Sequence, residues 1–183
     1  GILGKINYAH VSISHEYHGM SLIRKYLNKS FENAVITAKE FHFPVVEGPG
    51  RSGLPQSENI KNQKHIIALI DFGNEAGQYD FETFQHRSFI RSQRVLVRGE
   101  RGEINNNSVK YLKDFKTPIE NKLSRTDAGH EENLEGYYLK GIQCGDKWLY
   151  EYPFIPGRLS DEEISLAQCI VNMQNYIEKN ESF

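Results

Sequence analysis

An α+β fold, with an open, mainly antiparallel mixed sheet and helices packed on one face, follows from three features of this 183-residue sequence. Short strand-like runs bounded by Gly, Asn and Pro outnumber helical stretches along the chain. Only two segments carry a helical apolar period, one near the amino terminus and one at the carboxy terminus. No repeat, low-complexity tract or change of composition divides the chain, so a single domain over residues 1–183 is expected.

The elements can be justified in order. Lys5–Ile13 alternates Ile6, Tyr8, Val11 and Ile13 with polar neighbours and reads as a half-buried strand. His15–Asn28 then reads as a helix, with Ser14 as its cap and Met20, Leu22, Ile23, Tyr26 and Leu27 as its apolar face. Ala34–Val46 is a second strand, closed by Pro44 and Gly48, and Gly48–Gln63 a long loop rich in Gly, Pro, Ser and Asn. Loops of that length usually serve a function or move.

His65–Phe72 and Gln78–Gln85 read as strands around a turn at Asn74–Gly77. Arg94–Arg98, Glu103-Ile104 and Val109–Phe115 follow as short strands, separated by turns at Gly99–Gly102 and Asn105–Asn107. Leu134–Gln143 and Lys147–Tyr152 flank Cys144-Gly145-Asp146, which suits a tight hairpin turn. Pro153 and Pro156-Gly157 end that region. Ser160-Asp-Glu-Glu163 forms a capping box, and Ile164, Ala167, Ile170, Val171 and Ile177 give the last helix a face expected to pack on something apolar.

Composition bounds the function. A net charge of -2 gives no bulk attraction to nucleic acid or anionic membrane. No apolar run approaches the roughly 18 residues of a membrane span, and no signal peptide opens the chain. Cys144 and Cys169 form no metal knuckle or disulfide framework, and reduced core thiols in a cytoplasmic protein are expected. The start at Gly1-Ile-Leu-Gly and the stop just after a helix suit an excised domain.

Four constellations carry possible chemistry. Gly48-Pro-Gly-Arg-Ser-Gly53 has the spacing of a dinucleotide-binding turn, but Pro55 follows and no apolar helix begins. It therefore reads as a loop whose Arg51 either meets a carboxylate or phosphate or is simply solvated. His15-Glu-Tyr-His18 lacks the spacing and the third ligand of a zinc helix, so no metal is expected, while His18 suits acid–base work near neutrality or, on spacing alone, is a packed or solvated helix histidine. Arg87, Arg91, Arg94, Arg98 and Arg101 resemble a nucleic-acid ribbon, weakened by Glu100 and Glu103, and read instead as edge-strand or subunit-contact arginines. Asp71, Asp80 and Glu82 on adjacent strands could pair as acid and base, or simply face solvent.

The run Val11–Leu27 (VSISHEYHGMSLIRKYL) resembles the opening of the carboxy-terminal domain in the Gfo/Idh/MocA family of NAD(P)-dependent oxidoreductases. Gly48–Pro55, Gln78–Arg91, Val97–Ile104, Asn133–Gly136 and Leu159–Ile164 resemble later stretches of that domain in the same order. The resemblance implies that His18 is the active-site histidine of a D-x-x-x-H-x-x-D pattern. Ser14 and Ser21 stand where the aspartates fall, so a proton relay through Ser14 lacks the carboxylate that would poise the imidazole.

The family's Rossmann domain and E-K-P-type lysine have no counterpart in this sequence. The resemblance thus implies the substrate-binding and oligomerisation half of a dehydrogenase acting on a sugar or polyol. His18 and Ser14 take the catalytic positions, and Tyr17, Arg24 and Arg51 are the candidate substrate-binding residues. NAD or NADP would be held mainly by another domain, with no cofactor on this chain alone. A homo-oligomer through the open sheet face, and neither nucleic acid nor membrane, completes the expected partners. A non-catalytic assembly or ligand-binding module is the alternative.

Overall fold

The computed structural model describes residues 1–128, 138–152 and 161–180. It is α+β, with an open mixed sheet, and the chain divides into two units, Gly1–Glu120 and Asn121–Phe183.

In the first unit, β1 (Ile6–Ser12) leads into α1 (Glu16–Tyr26), followed by β2 (Val35–Val46), β3 (Ile60–Asp71), β4 (Ala76–Glu82), β5 (Arg94–Gly99), β6 (Gly102–Asn105) and β7 (Ser108–Leu112). The strand order is β7-β6-β5-β1-β4-β3-β2. Only the β1–β4 pairing is parallel, so α1 sits within the crossover that this pairing requires. One face of the sheet buries Ala9, Val11, Ala68, Ile70, Tyr79 and Phe81 against Ile23 of α1 and Leu27 just after it.

Two glycines set how closely α1 approaches. A Cβ on Gly19 would overlap the ring of Tyr79, and one on Gly77 would overlap Ile23. Each glycine therefore makes room for a large side chain on the other element.

The β1 pattern is shifted from the expected alternation. An irregularity between Ile6 and Tyr8 changes the phase, so that Ile6, Ala9 and Val11 share the helix side. Tyr8, expected on the buried side, lies on the opposite face, donating its hydroxyl to Gln78 Oε1 at 2.7 Å, with the Arg98 guanidinium 5.7 Å from its ring centre.

β3 begins at Ile60, five residues before its apolar run, because β2 continues to Val46 and offers each of those polar residues a ladder partner. The loop is correspondingly shorter than expected. The Phe72–Glu75 turn is closed by the Phe72 N–H on the Glu75 carbonyl, with Gly73 at positive φ. Asn106, also at positive φ, turns β6 into β7.

In the second unit, β8 (Pro118–Ala128, which begins in the first) pairs antiparallel with β9 (Tyr138–Cys144), and β9 with β10 (Lys147–Glu151) across the Gly145-Asp146 turn. β8 has no counterpart in the sequence reading: its polar, charged sequence gives no apolar period, and pairing rather than burial makes it a strand. α2 spans Asp161–Lys179 as expected. Its Ile170, Val171 and Ile177 are exposed rather than packed. Cys144 is buried and Cys169 exposed, and both are free, so only the first is the expected core thiol. Ser160, Pro153, Pro156-Gly157 and Asn133–Gly136 lie outside the described residues.

Candidate functional site

The carboxy end of β1 delivers the chain to the amino end of α1, where the candidate residues gather. His15, not Ser14, is the residue before the helix, with extended backbone and no side-chain cap. Tyr79, reaching up from β4, does the capping instead. Its hydroxyl accepts the Glu16 N–H at 2.7 Å and donates to the Ser14 carbonyl at 3.2 Å. One phenol thus satisfies a free helix N–H and a strand-end carbonyl together. The Ser14 Oγ is buried with no hydrogen-bond partner, which corrects its assignment as the cap and leaves it no contact through which to poise His18.

Four rings cluster at this mouth. His18 lies 4.0 Å from Tyr17 and edge-on to His15 at 4.9 Å, and His15 faces His86 at 6.5 Å. His18 is exposed, as is Tyr17. Burial, then the charge of Arg87 and the neighbouring His15, push the His86 pKa down, which favours its neutral form. Beside His15 and His86 is a cavity of about 270 Å³, lined by these two and by Glu16, Lys64, Tyr79 and Phe84 among others. Lys64 reaches Glu16 at 3.4 Å across its edge. That volume approaches the roughly 300 Å³ lower end of ordinary small-molecule pockets.

The other candidates are placed apart. Arg24 is six residues along α1 from His18, roughly 9 Å down the axis. Its guanidinium donates to the carbonyls of Ser30 and Glu32 and lies 5.6 Å from the Phe72 ring centre, so it ties down the chain leaving the helix. Ser21 donates to the Tyr17 carbonyl one turn back. Arg51 is exposed in the loop between β2 and β3. Gly50 and Gly53 exchange two backbone hydrogen bonds there, closing a tight turn, and no helix begins before β3. The segment therefore does not fit a dinucleotide pyrophosphate, which needs a helix amino end behind the glycines.

A second polar cluster lies on the sheet face opposite α1. His65 Nε2 is 2.5 Å from Asp80 Oδ1, His10 Nε2 is 3.7 Å from Asp80 Oδ2, and Arg91 Nε is 3.2 Å from Glu82 Oε1. The imidazoles of His10 and His65 hold the Asp80 carboxyl below the usual range, against the opposing effect of burial. Gln85 locks the surrounding backbone, donating to Ser12 and to the Ser92 carbonyl and accepting from the Glu82 N–H. Asp71 is not part of this cluster; it accepts from Gly73 N–H in the turn. The sequence shows Asp80 and Glu82 two apart on one face, but nothing local marks His10 and His65, which arrive from strands paired through long-range register.

The arginine ribbon is largely engaged within the protein. Arg91 meets Glu82, Arg98 meets Glu103 at 3.0 Å, and Arg101 donates to the Leu112 carbonyl at 3.0 Å. Among the described residues, no three His, Cys, Asp or Glu side chains are grouped to hold a metal, and no helix is long and apolar enough to cross a membrane. No family model matches the chain, and neither the curated proteins nor the solved structures compared with it give a match.

Proposed function

We propose that this chain is the substrate-binding half of an NAD(P)-dependent oxidoreductase acting on a sugar- or polyol-like substrate. The observation that carries the reading is the exposed His18, tilted against Tyr17 and edge-on to His15, which itself lines the cavity. An imidazole at such a mouth can exchange a proton with a substrate hydroxyl near neutral pH. His15 and His86 present further ring nitrogens for hydroxyl groups, and Arg51 stands on the loop beyond. The nicotinamide supplies hydride chemistry when bound, and another domain must hold it, because the Gly48–Gly53 turn does not fit its pyrophosphate.

The test is a titration of the chain with glucose and with sorbitol, followed by the imidazole proton resonances of His15 and His18. Both are expected to move in wild type, with the response lost in His18→Ala and His15→Ala. Histidine resonances unmoved at sugar concentrations of about 100 mM, far above the millimolar range of weak recognition, sink the reading. Calorimetry with NAD(H) and NADP(H) is expected to show no affinity on this chain, and micromolar binding would contradict the division of labour.

The alternative, a non-catalytic homo-oligomerisation module, is favoured by the apolar patch on the free sheet face. Phe43, Ile67 and Leu69 are exposed there, and Phe41 stacks on Phe43 at 5.6 Å. Sedimentation of wild type against Ile67→Asp separates the readings: a dimer abolished by the substitution, with no sugar response, supports the module.

A further inference from the structure

Phe84 occupies a conformation that its side chain does not favour. It follows β4 at φ +64° and ψ +6°, in the left-handed region, and opens a short 3-10 turn at Gln85–Arg87. Bulky residues are rare at such angles, and glycine takes them without steric penalty. The residue is 54% exposed, so burial offsets the strain only in part. Strained backbone of this kind gathers where a side chain must be presented to a ligand.

The position of the ring gives that presentation a direction. Phe84 and Thr83 line the 270 Å³ cavity and also a second one of about 120 Å³ under the Gly48–Gly50 segment. The aromatic ring therefore stands between the imidazoles of His15 and His86 and the glycine-rich loop. Polar groups that could bind hydroxyls flank it: His15, His86 and Lys64 in the larger cavity, Lys61 and Gln63 in the smaller.

We propose that Phe84 is a stacking platform for a ring-closed sugar, which makes the site selective for pyranosides over open-chain polyols. This rests on the reading of the cavity as a sugar or polyol site, and narrows it. A pyranose presents a rigid face of C–H bonds with its hydroxyls at the rim. Those C–H groups carry partial positive charge, which suits the electron-rich face of an aromatic ring. An open-chain polyol has no fixed apolar face and loses more torsional freedom when it is immobilised.

The test titrates the whole chain with methyl pyranosides of gluco, galacto, manno and xylo configuration and with sorbitol, read by saturation transfer and by amide shifts. Wild type is expected to bind at least one pyranoside about tenfold more tightly than sorbitol. Phe84→Tyr is expected to keep that preference. Phe84→Gly is expected to lose pyranoside binding by about tenfold or more while melting a few degrees higher, since glycine relieves the strain. A merely structural Phe84 would give the opposite stability change, and a lower melting temperature overturns the proposal. So does pyranoside binding unaffected by Phe84→Gly. Sorbitol binding that moves the His18 resonance, with no pyranoside preference, overturns the platform but leaves the proposed function standing. No response of His15 or His18 to any of these compounds overturns both.

Discussion

Gly19 on α1 lies against the ring of Tyr79 on β4, and the phenol of Tyr79 in turn caps the helix that carries Gly19. The same contact thus sets helix height above the sheet and fixes the helix start where His15 and His18 are presented. Gly19→Ala is expected to destabilise the first unit by about 1–3 kcal/mol through overpacking, despite the roughly 1 kcal/mol that alanine gains in helix propensity. Urea unfolding measures the difference. A neutral or stabilising result would mean that the ring moves aside freely.

Tyr79 takes the capping role that the sequence position of Ser14 suggests. Ser14→Ala removes a hydroxyl that has no partner and is expected to change stability by less than about 0.5 kcal/mol. Tyr79→Phe leaves the Glu16 N–H and the Ser14 carbonyl without their shared partner, and is expected to cost about 1–2 kcal/mol. Denaturant midpoints of the two variants in parallel decide it. The reverse order of effects would restore Ser14 as the cap.

These two residues also show what the sequence makes legible. The helix itself is written in local periodicity, and so are β2, the Gly145 hairpin and the α+β class, since each depends on neighbours in sequence. The cap is not, because the group that satisfies Glu16 lies 63 residues away and arrives through the parallel pairing of β1 with β4. The His10–Asp80–His65 cluster fails for the same reason: each member comes from a different strand. The amino half of β3 and all of β8 are strands by virtue of ladder partners, so their polar sequences read as loop. His15, His18 and Tyr17 do come together, being local, whereas Arg24 points its guanidinium to its own end of the helix.

Asp80 gives the first unit an acid sensitivity with a defined sign. Its folded pKa is depressed below the ordinary aspartate value of 3.8, so its contribution to stability is present above that value. It is lost as pH falls through the lower folded pKa. Unfolding midpoints are therefore expected to drop as pH falls below about 4 in wild type. Asp80→Asn should be less stable at neutral pH and show a shallower acid dependence over that range. Parallel acid profiles for the two proteins would contradict the linkage.

Glu82 is a buried carboxylate, its side chain only 6% exposed, and Arg91 is its nearest cation. Arg91→Ala leaves that charge without its pair and is expected to cost about 1–3 kcal/mol, with Arg91→Lys recovering part of it. With Arg91, Arg98 and Arg101 engaged internally, DNA binding is expected to be weak and without the steep salt slope of multiple phosphate contacts. An oligonucleotide shift assay at low and high salt checks the second point, and thermal unfolding the first.

Arg24 and His18 occupy one helix but do different work, and variants at the two should separate cleanly. Arg24 holds the carbonyls of Ser30 and Glu32 in its planar fork and lies against Phe72, so its loss frees the chain that leaves α1. Arg24→Ala is expected to cost about 1–3 kcal/mol, and Arg24→Lys nearly as much, because an ammonium cannot reproduce the fork. The His18 imidazole resonance should stay in place in both. His18→Ala, at an exposed position, should leave stability within about 0.5 kcal/mol while removing the sugar response at the mouth of the cavity. If Arg24→Ala instead abolished that response with stability intact, the far end of the helix would belong to the binding site, and the site would not be confined to the mouth beside the Tyr79 cap.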